Sequence, residues 1–344
     1  MSVSINPVLA RELKERMRGL WAFVALMVFL GLLTLTVWLV YQANQLGDEF
    51  SFDLERQTRV GRDLYEWMLG IMVLLVCFLV PGLTAGAIAG ERERQTLLPL
   101  QITLLRPRQI LWGKVMASLA YLTLMAVAAM PIFAVAYHLG GVSLLDTVKG
   151  LACVLVVGML LATMIVGISA YAKRVQTATL LAYGFTAVLL LGSFVLYGTV
   201  GVIDDNRGID ATNPPAILLT PNPLVFLADA TAGENVAVGS SPMRPLRELL
   251  VRSYAENGGW FGGDGIAEGF AGDFDGDFVA PGGFQDGIVV DQFGNQIGRF
   301  DQESSPTRGG FPGWAISLAS CTLLAAIMFA LGCRRLRTPA DTER

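Results

Sequence analysis

Histidine is almost missing from this chain: His138 is the only one in 344 residues. A paired-histidine metal site is therefore impossible, and no HExxH helix exists. The four cysteines, Cys77, Cys153, Cys321 and Cys333, each fall inside or at the end of an apolar run. No CxxC pair is present, which excludes a zinc ribbon and speaks against a disulfide framework. The nucleophile elbow GxSxG is lacking; Gly167-Ile-Ser169-Ala-Tyr171 fails at its last position. The phosphate-cradling GxxxxGK[ST] is lacking too. At Gly113-Lys114 the first glycine is replaced by Arg108, and Val115 follows the lysine. Charge is scarce as well: Asp, Glu, Lys and Arg make up 16% of residues, against about 25% in a soluble domain. No enzyme machinery, bound cofactor or metal site is expected of this chain.

What is present is hydrophobic, at 53% of residues, and it is arranged in blocks. Six stretches contain no Asp, Glu, Lys or Arg: Gly19–Gly47, Trp67–Gly90, Val115–Leu145, Gly150–Ala172, Val175–Ile203 and Gly309–Cys333. Each reaches the roughly 20 residues that a spanning helix needs. A charge at mid-membrane costs about 2.5–3.5 kcal/mol on insertion scales, so six clean windows predict six transmembrane helices. The first run is too long for a signal-peptide core and ends in no small-residue cleavage site. Trp21, Trp38 and Tyr41 stand near its ends, where amphipathic rings favour the interface. Proton- or sodium-coupled carriers commonly bury carboxylates at mid-membrane, and none falls in these windows.

Short basic segments orient the chain. Arg11, Lys14, Arg16 and Arg18 precede helix one; Arg92, Arg94, Arg106, Arg108 and Lys114 lie between helices two and three. Lys173 and Arg174 lie between four and five, and Arg334, Arg335, Arg337 and Arg344 follow six. That is fifteen basic residues on one face, against Arg56, Arg59, Arg62 and Lys149 in the short loops of the other. The positive-inside bias puts the first set, with both termini, in the cytoplasm. We divide the chain into a cytoplasmic amphipathic helix over 1–18, helices one to five over 19–203 with a cytoplasmic loop at 91–114, an extracytoplasmic loop over 204–309, helix six over 310–333 and a cytoplasmic tail over 334–344. The expected fold class is an all-α integral membrane protein, a six-helix bundle.

The outer segment has its own character. Residues 201–311 hold sixteen Asp and Glu against six Arg, a net of −10, which leaves the rest of the chain at +6. Gly and Asp dominate, so few side chains remain to build a core. Asn213–Ala230 is apolar but broken by Pro214, Pro215, Pro221 and Pro223. It is too broken to span, and Leu224–Ala228 is expected as a short interfacial element. Gly287–Val290 and Gln296–Phe300 flank a turn and predict a hairpin. Asp273, Asp275 and Asp277 alternate as at the start of a calcium loop. Phe278 stands where the loop glycine belongs and Phe284 where the bidentate Glu belongs, so a solvated acidic turn is the better reading.

Within the spans, Pro81-Gly82 and Pro131 predict kinks. Gly82, Gly86 and Gly90 repeat every four residues, a face that lets another helix approach closely, within this chain or in a second subunit. The N-terminal segment Asn6–Arg18 reads as an amphipathic helix: Leu9, Leu13 and Met17 on one side, with Arg11, Glu12, Lys14 and Glu15 between them. The loop Glu91-Arg92-Glu93-Arg94-Gln95-Thr96 extends helix two with alternating charge. Pro99 and the Arg106-Pro107-Arg108 turn then lead back to helix three. A structured charged loop of this kind is a docking surface for a cytoplasmic protein, where charge pairs set register; the simpler reading is a solvated helix end.

These residues resemble the permease subunits of type-2 ATP-binding-cassette (ABC) transporters. The similarity lies in the opening NPVLARELKERMRG and, more strongly, in Gly90-Glu91-Arg92, Gln95-Thr96-Leu97, Arg106-Pro107-Arg108 and Gly113-Lys114. It covers roughly 1–200 and 310–335. The resemblance implies a six-span subunit of the bacterial or archaeal cytoplasmic (inner) membrane. It implies pairing with a second permease, a copy or a homologue, and two cytoplasmic ATPase subunits that hold ATP and Mg²⁺. It implies that 91–108 couples to the ATPase through Glu91, Arg92, Glu93, Arg94, Gln95, Thr96, Arg106 and Arg108. An exporter is the expected function, with no nucleic-acid partner. The outer loop departs from the family pattern, and its size favours an alternative: a membrane anchor or assembly factor that recruits an extracytoplasmic partner.

Overall fold

The computed structural model describes residues 20–45, 54–95, 107–140, 142–206, 218–231, 243, 245–246, 283–285, 288–290, 296–299 and 313–337. The segment 1–18, with Arg11, Glu12, Lys14 and Glu15, lies outside them, as do Thr96, Arg106 and the Asp273, Asp275, Asp277 run. Among the described residues, six helices are long and apolar enough to cross a bilayer: Phe23–Ala43, Val60–Glu93, Pro107–Leu139, Leu144–Ser169, Val175–Val200 and Trp314–Leu336. Each overlaps one of the six uncharged runs, and the membrane part is an all-helical bundle.

In chain order, α1 is Leu20–Gln45, α2 Leu54–Thr84, α3 Gly86–Glu93, α4 Pro107–Leu139 and α5 Leu144–Ser169. Helix α6 is Val175–Ala187; a π-helical segment, Val188–Gly192, joins it to α7, Ser193–Asn206. A short helix α8, Pro223–Ala230, precedes the last span, α9, Gly313–Arg337. Strands β1 (Gly283–Gln285), β2 (Ile288–Val290) and β3 (Gln296–Arg299) form an antiparallel meander in the order β1-β2-β3. The β2–β3 pairing is the expected hairpin, with a register irregularity between Val289 and Val290.

Helix α5 is the centre of the bundle and packs against α2, α4 and α9. Its hydrophobic window is 67% buried, against 11% for α1, so α5 is surrounded by protein and α1 stands at the rim of the bundle. Small and β-branched residues let neighbours close around it. At the α5–α9 crossing, a Cβ on Gly332 would lie 3.1 Å from the Gly167 Cα, and one on Gly167 would overlap the Met328 backbone. The start of α5 is fixed by a capping box. Ser143 Oγ accepts from the Asp146 N–H at 3.1 Å, and the Asp146 carboxylate accepts from the Ser143 N–H at 3.2 Å. Helix α1 attaches to α2 and α4 through one stripe, with Phe29 and Leu33 buried at i, i+4 spacing.

Two boundaries differ from the hydropathy reading. Helix α2 begins well before Trp67, and Asp63 and Glu66 are buried within it. Helix α4 begins at Pro107 rather than Val115, which places Lys114 two turns inside, at 2% exposure. The windows themselves hold no carboxylate, as read from the sequence; Asp63 and Glu66 lie just ahead of the second one. Hydropathy windows exclude charges because lipid does; these charges face protein, where partners neutralise them. Arg62 Nε lies 3.5 Å from Glu66, and Lys114 Nζ lies 2.8 Å from Glu91.

Helix α8 also departs from expectation. Leu224–Ala228 is not a surface element: helix α8 packs on α5 and α9 with Phe226, Leu227 and Ala228 buried in the main core, and Val225 is buried with Leu219 beside Phe194 and Tyr197 of α7. Pro221 and Pro223 do not prevent this. Asn222 caps the helix and Pro223 occupies its first turn, where no intrahelical N–H is needed.

Candidate functional site

The second span, Val60–Glu93, has 34 residues. At 1.5 Å per residue it is about 50 Å long, roughly 20 Å more than the hydrocarbon core. Its length leaves room for the charged end to extend beyond the lipid. Just before that end the hydrogen-bond ladder is interrupted at Ala85, between α2 and α3. Ala85 keeps helical dihedrals, so α3 continues the direction of α2. Pro81 supplies no N–H, and Thr84 turns its hydroxyl back to the Val80 carbonyl. The first N–H groups of α3 find their acceptor on another helix. Ser169 Oγ, at the end of α5, accepts from Ile88 N and Ala89 N at 3.1 Å each and donates to the Ala85 carbonyl at 2.6 Å. One buried hydroxyl thus serves as an N-cap in trans.

The next turn carries the charges. Glu91 accepts from buried Lys114 on α4. Arg92 reaches the end of α5: its Nη1 donates to the Ala172 carbonyl at 2.7 Å and its Nη2 to the Ala170 carbonyl at 3.0 Å. Glu93 reaches the start of α6, where its carboxylate accepts from the Val175 N–H at 3.0 Å. The signs follow helix electrostatics: a cation sits on the negative C-terminus of α5 and an anion on the positive N-terminus of α6. Arg174, the residue before α6, supplies no side-chain cap, so Glu93 takes that role. Glu91, Arg92 and Glu93 together tie α3 to α4 and to the turn between α5 and α6.

The three spaced glycines point at α6. A Cβ on Gly82 would lie 3.0 Å from the Tyr183 hydroxyl, and those on Gly86 and Gly90 would lie 3.7 and 3.6 Å from Val175. Small residues here let α3 lie against α6. Helix α3 then ends on Gln95, whose φ of 59° is left-handed and whose N–H bonds to the Arg92 carbonyl at 3.0 Å.

Of the residues selected from sequence, Glu91, Arg92 and Glu93 are therefore engaged within the chain. Arg94, Gln95 and Arg108 are exposed at the same end of the bundle. Sequence reasoning missed Ser169 and the burial of Lys114. Ser169 looks like an ordinary polar residue at the end of an apolar run, and only the fold brings it to α3. It also missed Asn222, although Asn-Pro before an apolar stretch is a helix-start signature. At the opposite end, a cavity of about 70 Å³ lies between Arg62, Tyr65, Asp146, Lys149 and Thr231. His138 is exposed in the last turn of α4 and takes no part in either cluster.

A bundle of six helices long and apolar enough to cross a membrane defines a multi-pass membrane protein. The chain belongs to the ABC-2 family of transporter proteins, whose family model matches residues 7–215. It is a membrane transport component of an ABC transporter. The matched segment contains α1 to α7 and stops before α8 and α9. No curated protein matches the chain.

Proposed function

We propose that this chain is the permease subunit of an ABC exporter, with the α3 end of the bundle in the cytoplasm and both termini on that side. A separate ATPase subunit holds ATP and Mg²⁺ and docks on the exposed Arg94, Gln95 and Arg108. A second permease, identical or homologous, completes the membrane pathway. The direction assigned is export, on the family resemblance. Membership of the family supports the partners, and the contacts of α3 support the coupling route.

The observation that carries this reading is the straddle of Arg92 and Glu93 across the α5–α6 turn. A displacement of α3 cannot occur without moving the end of the central helix α5 and the start of the fifth span, or breaking charge-assisted hydrogen bonds. Lys114 adds the third span to the same unit. Partner movement on ATP binding and hydrolysis thereby shifts the packing of several spans, a population shift between two bundle states.

The test is an ATPase assay on the complex, purified in detergent after co-expression with a candidate ATPase subunit. Arg94→Glu combined with Arg108→Glu should abolish co-purification, because both side chains face the partner. Arg92→Ala should leave co-purification intact and disconnect ATP turnover from substrate movement. If the wild type retains no ATPase subunit, or if Arg92→Ala transports like the wild type, the reading fails.

A further inference from the structure

The bond network around Asn222 joins the start of α8 to an unusual backbone feature of the fifth span. Asn222 is fully buried, at 0% exposure, in the turn that leads into α8. Its Oδ1 accepts from the Leu224 N–H at 2.9 Å, capping α8. Its Nδ2 crosses to the fifth span, donating to the Leu190 carbonyl at 2.9 Å and to Ser193 Oγ at 2.8 Å. Leu190 lies within the π-helical segment Val188–Gly192, and Ser193 immediately follows it. Short π segments inside α-helices are uncommon and recur at functional sites.

Much of what packs around this turn is apolar. Leu219 and Phe226 are buried beside it, and α8 fits between α5, α9 and the π segment. A void of about 10 Å³ beneath it is lined by apolar residues including Leu161, Met164, Leu189, Phe226 and Leu318. That is at or below the room one water needs, so no solvent stands ready to replace the amide if it lets go. A primary amide in such surroundings is either fully bonded or costly, which makes the contact close to all-or-none.

We propose that the Asn222 amide is a latch: it holds α8 on the π segment of the fifth span, and release of that latch frees α8 and opens the bundle at the end opposite α3. The significance for transport rests on the permease reading above; the latch itself does not. While it holds, α8 fills the seam between the fourth, fifth and sixth spans. When the fifth span shifts under the pull of Glu93 at its other end, the π segment moves away from Asn222 and α8 is freed.

The chain contains its own reporter. Cys321 on α9 is buried, with its thiol donating to the Pro221 carbonyl at 3.5 Å in the turn that Asn222 holds. The experiment uses the full chain in membrane vesicles without nucleotide, with Cys77→Ala, Cys153→Ala and Cys333→Ala leaving Cys321 as the only thiol, and reads its alkylation rate by N-ethylmaleimide. Asn222→Ser retains a cap for α8 but is too short to reach Leu190. Losing both cross-span bonds should raise the rate roughly tenfold, the scale of one to two net hydrogen bonds. Ser193→Ala removes one acceptor and should give a smaller rise. Wild-type rates in both variants would overturn the proposal. So would an equal rise at Cys77, buried in α2, in the matching single-cysteine protein, since that signals general loosening rather than release of α8. No ATPase partner enters this measurement, so failure of the permease reading shows up in co-purification and in transport by Arg92→Ala, not in the alkylation rate.

Discussion

Replacing Glu91 with Leu should damage the protein far more than replacing its partner Lys114 with Met. The two ends of the ion pair sit in different surroundings: the Lys114 side chain is 2% exposed, the Glu91 side chain 27%. Removing Glu91 takes the counter-carboxylate from an ammonium that cannot reach water, a loss of about 3–5 kcal/mol for one partner of a buried pair. Removing Lys114 leaves a carboxylate that can turn to solvent, and the cost falls to about 1 kcal/mol. The double variant Glu91→Leu, Lys114→Met takes out both charges and keeps the volume. It should lie within about 1 kcal/mol of wild type in stability, since well-packed apolar pairs replace buried ion pairs at little cost. The assay is the temperature at which the detergent-solubilised protein loses its monodisperse peak, read for all four proteins of the cycle. The expected order places Glu91→Leu several degrees below the other three. If Glu91→Leu is no worse than Lys114→Met, or if the double variant is as damaged as Glu91→Leu, Glu91 does not compensate the burial of Lys114 and the reasoning is wrong. The stable double variant should still fail to couple, because α4 is no longer tied to α3 by charge.

Three further outcomes follow from the same geometry. Ser169→Ala leaves the Ile88 and Ala89 N–H groups without their hydroxyl acceptor, at a cost of about 1–3 kcal/mol; hydrogen exchange at those two amides should accelerate, and unchanged protection would contradict the capping role. Gly167→Ala places a methyl against the Met328 backbone and should abolish accumulation of folded protein in the membrane. Gly184→Ala meets nothing within 4 Å and should accumulate normally. Gln95→Gly relieves a left-handed backbone and should raise the melting temperature by the equivalent of about 1 kcal/mol; a lower value would mean that the Gln95 side chain itself anchors the turn.

The sequence by itself determined which helices are long and apolar enough to cross the membrane. Transfer of a helix into lipid is a sum over its own residues, so six uncharged runs are enough to identify six spans, and no tertiary information enters. Local grammar was equally legible where it involves neighbours in the chain: the β2–β3 hairpin, and the glycine spacing from Gly82 to Gly90. The charged turn at Glu91–Gln95 stood out for the same reason.

Only the tertiary structure decided what those charges do. Arg92 and Glu93 find their partners some eighty residues away in sequence, at Ala170, Ala172 and Val175. Ser169 meets Ile88 and Ala89 across a similar distance. Asn222 meets Leu190 because α8 folds back into the bundle. Hydropathy treats Asp63, Glu66 and Lys114 as marks of a helix end, because it compares water with lipid. Inside the bundle they face a third environment, protein, where a counter-charge or a helix terminus makes burial tolerable. That environment is created by packing, and no window along the chain contains it.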